Sequence, residues 1–368
     1  MAGLQPHLAP VRLIGLWGRV VRLQTCGAEF RNSLKQKVCV ELLRRGYHRS
    51  FSELYSLLIG CEERRCVLEE QDSLDALQLH LSRAEDAHRT GDWAGVYASQ
   101  LSLAERSWAP EEAWLSLYFY QRSLDAASRL TSSHQPDTLT SSPYPDTLTS
   151  SHPETLVTSR LARLYLQLGE LEEARRYSER FLQLAERGPV REQASRLLVQ
   201  VYICLAELPV HQPGALQLLH TAYHTAANCG DSSVKGEAAY RLGLAYQRTG
   251  DHPSAMKFLT VSMEIFSLLQ ETDALGKTYK ALSQSEQRTT EKVEYLEKYV
   301  GISRIKGHHG NLQDAYMSLG AFYCSQGQYS SSTESYQQGF NLACSLGDVE
   351  RIQRSQVSPS GTHDDVTP

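Results

Sequence analysis

Nowhere in the 368 residues is there a run of about 18 apolar ones, the length a helix needs to cross a bilayer. The eight cysteines, at positions 26, 39, 61, 66, 204, 229, 324 and 344, include no Cys-x-x-Cys pair, and no obvious secretory signal is read in the sequence. They are expected to be reduced cytosolic thiols, mostly in helix cores. Also missing are a Gly-rich phosphate loop, a His-Glu-x-x-His pair, a Gly-x-Ser-x-Gly elbow and a Cys/His cluster at zinc spacing. Adjacent His308 and His309 sit between Gly307 and Gly310, where a solvated turn is expected. An excess of basic charge is lacking too. The formal net charge is −5, which argues against a dedicated nucleic-acid binder, because phosphate contacts need a clustered basic surface. Neither an enzyme, a cofactor, a metal site nor a small-molecule substrate is expected.

What the chain has instead is repetition. From about Tyr97 to Asp348 a degenerate unit returns roughly every 40 residues. Its clearest copies read Leu161-Ala-Arg-Leu-Tyr165 then Gly169, Leu242-Gly-Leu-Ala-Tyr246 then Gly250, and Leu319-Gly-Ala-Phe-Tyr323 then Gly327. Each is a helix with a packing face that ends in a turn. A second marker follows the turn: Ala174, Ala215, Ala255, Lys292 and Ser332, at steps of 41, 40, 37 and 40 residues. Small residues such as Gly243 and Gly320 let two antiparallel helices approach closely, and the turn Gly adopts a conformation that a Cβ penalises. A single hairpin leaves an apolar face in water, so the units must stack.

This pattern resembles the tetratricopeptide repeat family, whose usual unit is about 34 residues; the longer period here adds a turn or so of helix. The expected fold is all-α: an α-solenoid of tetratricopeptide-type helix hairpins in about 40-residue units, with an N-terminal helical cap. Departures are visible. Lys292 replaces the small residue, Ser283-Gln-Ser-Glu-Gln287 lacks the Gly turn, and the unit from Arg196 to Cys229 lacks the Leu-Gly pair and carries Pro209 and Pro213.

Residues 1–28 are expected to be a poorly ordered tail. Arg12, Arg19 and Arg22 among apolar residues give Val11–Leu23 some likeness to a mitochondrial transit peptide, but it lacks Ser enrichment and contains Gly15 and Gly18. Residues 29–60 read as a non-repeat helical hairpin that caps the array, with Gly46 ending its first helix and Ser50 capping its second, Glu53 three residues on. Residues 74–130 read as a leading helix and a first repeat pair, and residues 153–348 as five further repeats. Between them, residues 131–152 carry a tandem copy of a short phrase, Pro136-Asp-Thr-Leu-Thr-Ser-Ser then Pro145-Asp-Thr-Leu-Thr-Ser-Ser. With almost no charge and few apolar residues this insertion is expected to be disordered, as is the tail 349–368.

A solenoid offers a concave surface lined by the first helices of its pairs. The candidate groove residues, offset from the core stripe, are Glu237, Tyr240, Leu244, Gln247 and Arg248, then Lys277, Lys280 and Gln284, then Asp314, Met317, Ala321 and Cys324. A clamp for a terminal carboxylate needs converging cationic donors. Tyr240, Leu244, Met317 and Ala321 stand at those places, so the groove suits an extended or helical protein segment instead.

The element in front of the array narrows the resemblance. Arg31-Asn-Ser-Leu-Lys35, Gly46-Tyr-His-Arg-Ser-Phe-Ser-Glu-Leu54, Leu68-Glu-Glu-Gln71 and Ser82-Arg-Ala-Glu-Asp86 are similar to an axonemal branch of the tetratricopeptide repeat family, found in motile cilia and sperm flagella. The likeness runs from about Glu29 through Gly347 and includes Leu171-Glu-Glu-Ala174 and the stretch Gly236–Ala245. It implies a scaffold in the cytoplasm and the axonemal cytoskeleton, with axonemal or ciliary-transport proteins as partners and a role in flagellar beating. Periodicity alone gives only a binding scaffold, which also fits a cytosolic adaptor that recruits a phosphatase or chaperone client.

Overall fold

The computed structural model describes residues 34–63, 71–106, 113–133, 152–186, 188–209, 214–305, 307, 309–347, 350 and 352–353. The tail 1–28, the tandem phrase within 131–152 and nearly all of 349–368 lie outside the described residues. Fifteen α-helices and no strand are found among the described residues. Two compact units meet in sequence between Leu161 and Ala162.

The first unit holds α1 (Leu34–Arg44), α2 (His48–Glu63), α3 (Gln71–Thr90), α4 (Trp93–Ala104) and α5 (Ala113–Ser133). Gly46 ends α1 with a positive φ of 81°, as expected. Ser50, however, does not cap α2, which begins two residues earlier at His48. Its buried hydroxyl lies 2.7 Å from Glu85 and 2.9 Å from the Leu81 carbonyl, and its N–H donates to Glu85 at 2.8 Å. Glu53, the other half of the expected box, accepts instead from Tyr118 and Arg122 on α5. Both side chains serve tertiary contacts because burial makes an unpaired polar group costly. The Gly91 turn, φ 76°, joins α3 to α4, with Asp92 as N-cap to α4.

The helix α6 (Pro153–Gln167) crosses into the second unit, which continues with α7 (Leu171–Leu184), α8 (Pro189–Glu207), α9 (Ala215–Ala227), α10 (Ser232–Arg248), α11 (His252–Leu269), α12 (Thr272–Ser285), α13 (Thr289–Ile305), α14 (His309–Ser325) and α15 (Tyr329–Leu346). They form five hairpins, α6/α7 through α14/α15. Three of the connecting turns are copies of one another. Gly169, Gly250 and Gly327 have φ of 77°, 79° and 72°, and the residue after each donates its N–H to the carbonyl of the repeated tyrosine, Tyr165, Tyr246 or Tyr323. That is the left-handed helix end which satisfies terminal carbonyls at the least steric cost when Gly occupies it. The same bond pattern closes α11, but there Gln270 takes φ 57°.

The small-residue positions are close approaches. Leu161, Ala174, Leu242 and Ala255 are fully buried, and Ala215 and Leu319 nearly so. A Cβ on Gly243 would stand 2.7 Å from Leu259 Cγ, and one on Gly320 2.8 Å from the Tyr336 ring. The Ser332 hydroxyl donates to the Gly320 carbonyl at 2.9 Å. Lys292, the exception among the markers, is half-buried. Aromatic pairs close the turn end of two hairpins: Tyr165 stacks on Tyr177 at 5.3 Å and Tyr246 on Phe258 at 5.6 Å. Among the described cysteines only Cys39 and Cys229 are buried, fewer than expected, and Cys344 is exposed.

Candidate functional site

Within the second unit, successive first helices touch one another as well as their own partners: α8 meets α10, α10 meets α12 and α12 meets α14. Contact between alternate helices along a stack places them on its inner side. Side chains bridge each step. Arg196 of α8 pairs with Asp231, the N-cap of α10. Arg241 of α10 pairs with Glu207 of α8 at 2.6 Å and with Glu237 of its own helix at 2.7 Å. Gln247 donates to Gln284 of α12 at 3.3 Å, and Asn311 of α14 donates to Asp273 of α12.

Where α8 and α10 meet over α9, the surface opens into a cavity of about 250 Å³. Its floor is Ile203, Ala206, Leu219 and Leu244, and its rim is Glu207, Arg241, Gln247 and Arg248. The repeat register explains the position. The approach point occupied by Ala162, Gly243 and Gly320 in other hairpins falls on Ile203 in α8, 41 residues after Ala162 and 40 before Gly243. The cavity lies where the chain has a branched side chain in place of a small one.

Burial alone would make Arg241 a weaker cation, but the hydrogen bond and charge of Glu237 and the charge of Glu207 raise its pKa, so the guanidinium stays charged and already compensated. Burial pushes the Tyr240 hydroxyl above its ordinary pKa against the pull of Arg241 and Lys277, which keeps it neutral. Lys277 is held by Asp273 at 2.7 Å. Arg248, exposed, and Lys280, half-buried, form no ion pair among the described residues.

The groove residues expected from the sequence are thus divided. Gln247 and Arg248 line the cavity with Leu244, Gln284 bonds to Gln247, and Glu237 holds a rim cation. Tyr240 packs against the core of α11 and α12 around Leu259 and Leu282. Met317 leans on its own hairpin, its sulfur 3.2 Å from where a Cβ on Gly339 would be. Asp314 is half-buried one hairpin further along. Ile203, Ala206, Glu207, Leu219 and Arg241 escaped the sequence reading, and the missing small residue in α8 was the signal that marks them.

Among the described residues no group of three His, Cys, Asp or Glu side chains gathers as metal ligands, and no helix is long and apolar enough to cross a membrane. The buried Cys39 thiol is pushed by burial up to about 12, far from a nucleophile at neutral pH.

Comparison with known proteins agrees with the hairpin fold. The Tetratricopeptide repeat family model matches residues 159–187, the α6/α7 hairpin. Among solved structures, BtubC (BKLC) from P. vanneervenii is similar with a TM-score of 0.42 and 18% identity, covering 68% of this chain and 94% of that one. That likeness is too slight to argue from, and the fold rests on the hairpins themselves. Tetratricopeptide repeat protein 29 of Macaca fascicularis is 28% identical over 357 residues, 90% of this chain and 72% of the relative, and that of Homo sapiens has the same identity and coverage. The second unit is therefore built of tetratricopeptide-type hairpins, and the chain is similar over 90% of its length to tetratricopeptide repeat protein 29.

Proposed function

We infer that the protein is a non-enzymatic scaffold of the ciliary or flagellar axoneme, where it binds axonemal or ciliary-transport proteins and so supports beating and sperm motility. A repeat stack of this kind offers an extended inner surface for protein partners, which is the coarse statement the fold itself carries. The finer reading rests on one observation. The similarity to tetratricopeptide repeat protein 29 covers 90% of the chain and so takes in the α1/α2 hairpin as well as the repeats. The phrases that set the axonemal branch apart, Gly46–Leu54 and Ser82–Asp86, pack on each other through Ser50–Glu85 and Tyr47–Asp86. A generic repeat array needs no such element. The test is to tag the chain in a ciliated cell and to delete its gene: it should concentrate along the axoneme, and beating should slow. Diffuse cytosolic signal with normal beating would favour a cytosolic adaptor instead.

A further inference from the structure

We propose that the cavity where α8 and α10 meet over α9 takes a bulky aliphatic side chain from an extended, acidic segment of a partner protein. This deepens the binding role inferred above by naming what the groove holds. The floor is wholly apolar, and Ile203, Ala206 and Leu219 are buried there while Leu244 is half-exposed. Such a pocket gains most from an aliphatic side chain that leaves water.

The cations that form no ion pair on this face set the sign of the partner's charge. Arg241 is shared by Glu207 and Glu237, and the rim cation with no ion pair among the described residues is Arg248. The next cation along the inner face is Lys280, one turn before Gln284, whose amide meets Gln247 from the cavity rim. Two unpaired cations therefore flank a pair of amides. Amide side chains supply both a donor and an acceptor, which is what an extended backbone needs. The step from one packed helix to the next is about 10 Å, and an extended chain covers about 3.3–3.6 Å per residue. An acidic residue two to four positions from the aliphatic anchor therefore reaches Arg248 or Lys280.

The experiment uses the full chain and a displayed library of random dodecapeptides. Selected peptides should be enriched in Leu, Ile or Met with Asp or Glu two to four residues away. Labelled copies should bind at least tenfold more weakly to Leu244→Glu, and severalfold more weakly to Arg248→Glu and Lys280→Glu, with affinity falling as salt rises. Arg248 is exposed, so its variant should keep the wild-type helical signal and remains informative even if Leu244→Glu unfolds. Selection of peptides without acidic bias, of peptides indifferent to Arg248→Glu, or of none at all would overturn the proposal. An intact axonemal signal for Arg248→Glu in cells would leave the scaffold reading standing through another surface, whereas absence of that signal for the wild-type chain would overturn the axonemal reading alone and leave the pocket to its own binding test.

Discussion

At the residue scale, glycine is the informative letter, because the same residue has opposite reasons at neighbouring places. In α10, Gly243 lies against Leu259, and a Cβ would fall 2.7 Å from its Cγ and 3.3 Å from its backbone nitrogen. In α13, Gly301 has nothing within 4 Å of that position. Replacing a helical Gly by Ala gains about 1 kcal/mol of propensity, but forcing an extra carbon into a packed contact costs about 1–3 kcal/mol. Gly243→Ala is therefore expected to lower stability by up to about 2 kcal/mol and Gly301→Ala to raise it by about 1 kcal/mol. Urea denaturation of the two variants checks the pair. Equal shifts of the same sign would mean that α10 and α11 do not approach at Gly243 and that the repeat register is wrong.

At the scale of elements, the hairpins were legible and the lock on the cap was not. Spacing alone places Leu242, Gly243, Tyr246 and Gly250 on a helix and its turn, because core periodicity and a left-handed turn leave local signatures. Nothing local says that Ser50 belongs to Glu85, 35 residues away; a Ser followed by Glu three places on reads as a cap, and only burial against α3 overrides it. The Ile203 cavity is an intermediate case: an exception to a small-residue rule is visible, but the space beside it depends on how three helices pack.

The lock has a pH signature. Burial pushes the Glu85 carboxyl upward, but hydrogen bonds from the Ser50 N–H and hydroxyl and from Arg89, with the charge of Arg89, hold its pKa below the ordinary value. A carboxyl depressed on folding stabilises the folded state fully above its unfolded pKa of about 4.3, and that share is lost as pH falls through the lower folded value. Glu85→Gln should cost about 1–3 kcal/mol at pH 7, the usual price of weakening a buried charge-assisted hydrogen bond. Denaturant melts of the two proteins should converge as pH falls below about 4. Curves that stay parallel down to pH 3 would show that Glu85 is not the anchor of the cap.

At the scale of the molecule, the second unit should behave as a stack, in which each hairpin depends on its neighbours more than on the whole. The last joint is well defined. Leu296, Tyr299 and Val300 of α13 pack on Leu312, Ala315, Tyr316 and Leu319 of α14, and Arg304 donates to the Tyr316 hydroxyl at 2.5 Å. Ending the chain after Ile305 removes the 17-residue α14 and the 18-residue α15 and bares the α13 side of that joint. Hairpins further back keep all their contacts, so the helical signal should fall only by the share of the two missing helices. The bared apolar face should drive association, as an uncapped repeat end does. Gel filtration with circular dichroism checks both halves: a truncated chain that is associated yet still helical is the expected result, and Val300→Lys in it should restore much of the monomer. Collapse of the whole helical signal would instead mean that the unit folds around one shared core, and the groove between α8 and α10 would then be a feature of that core and not of a repeat stack.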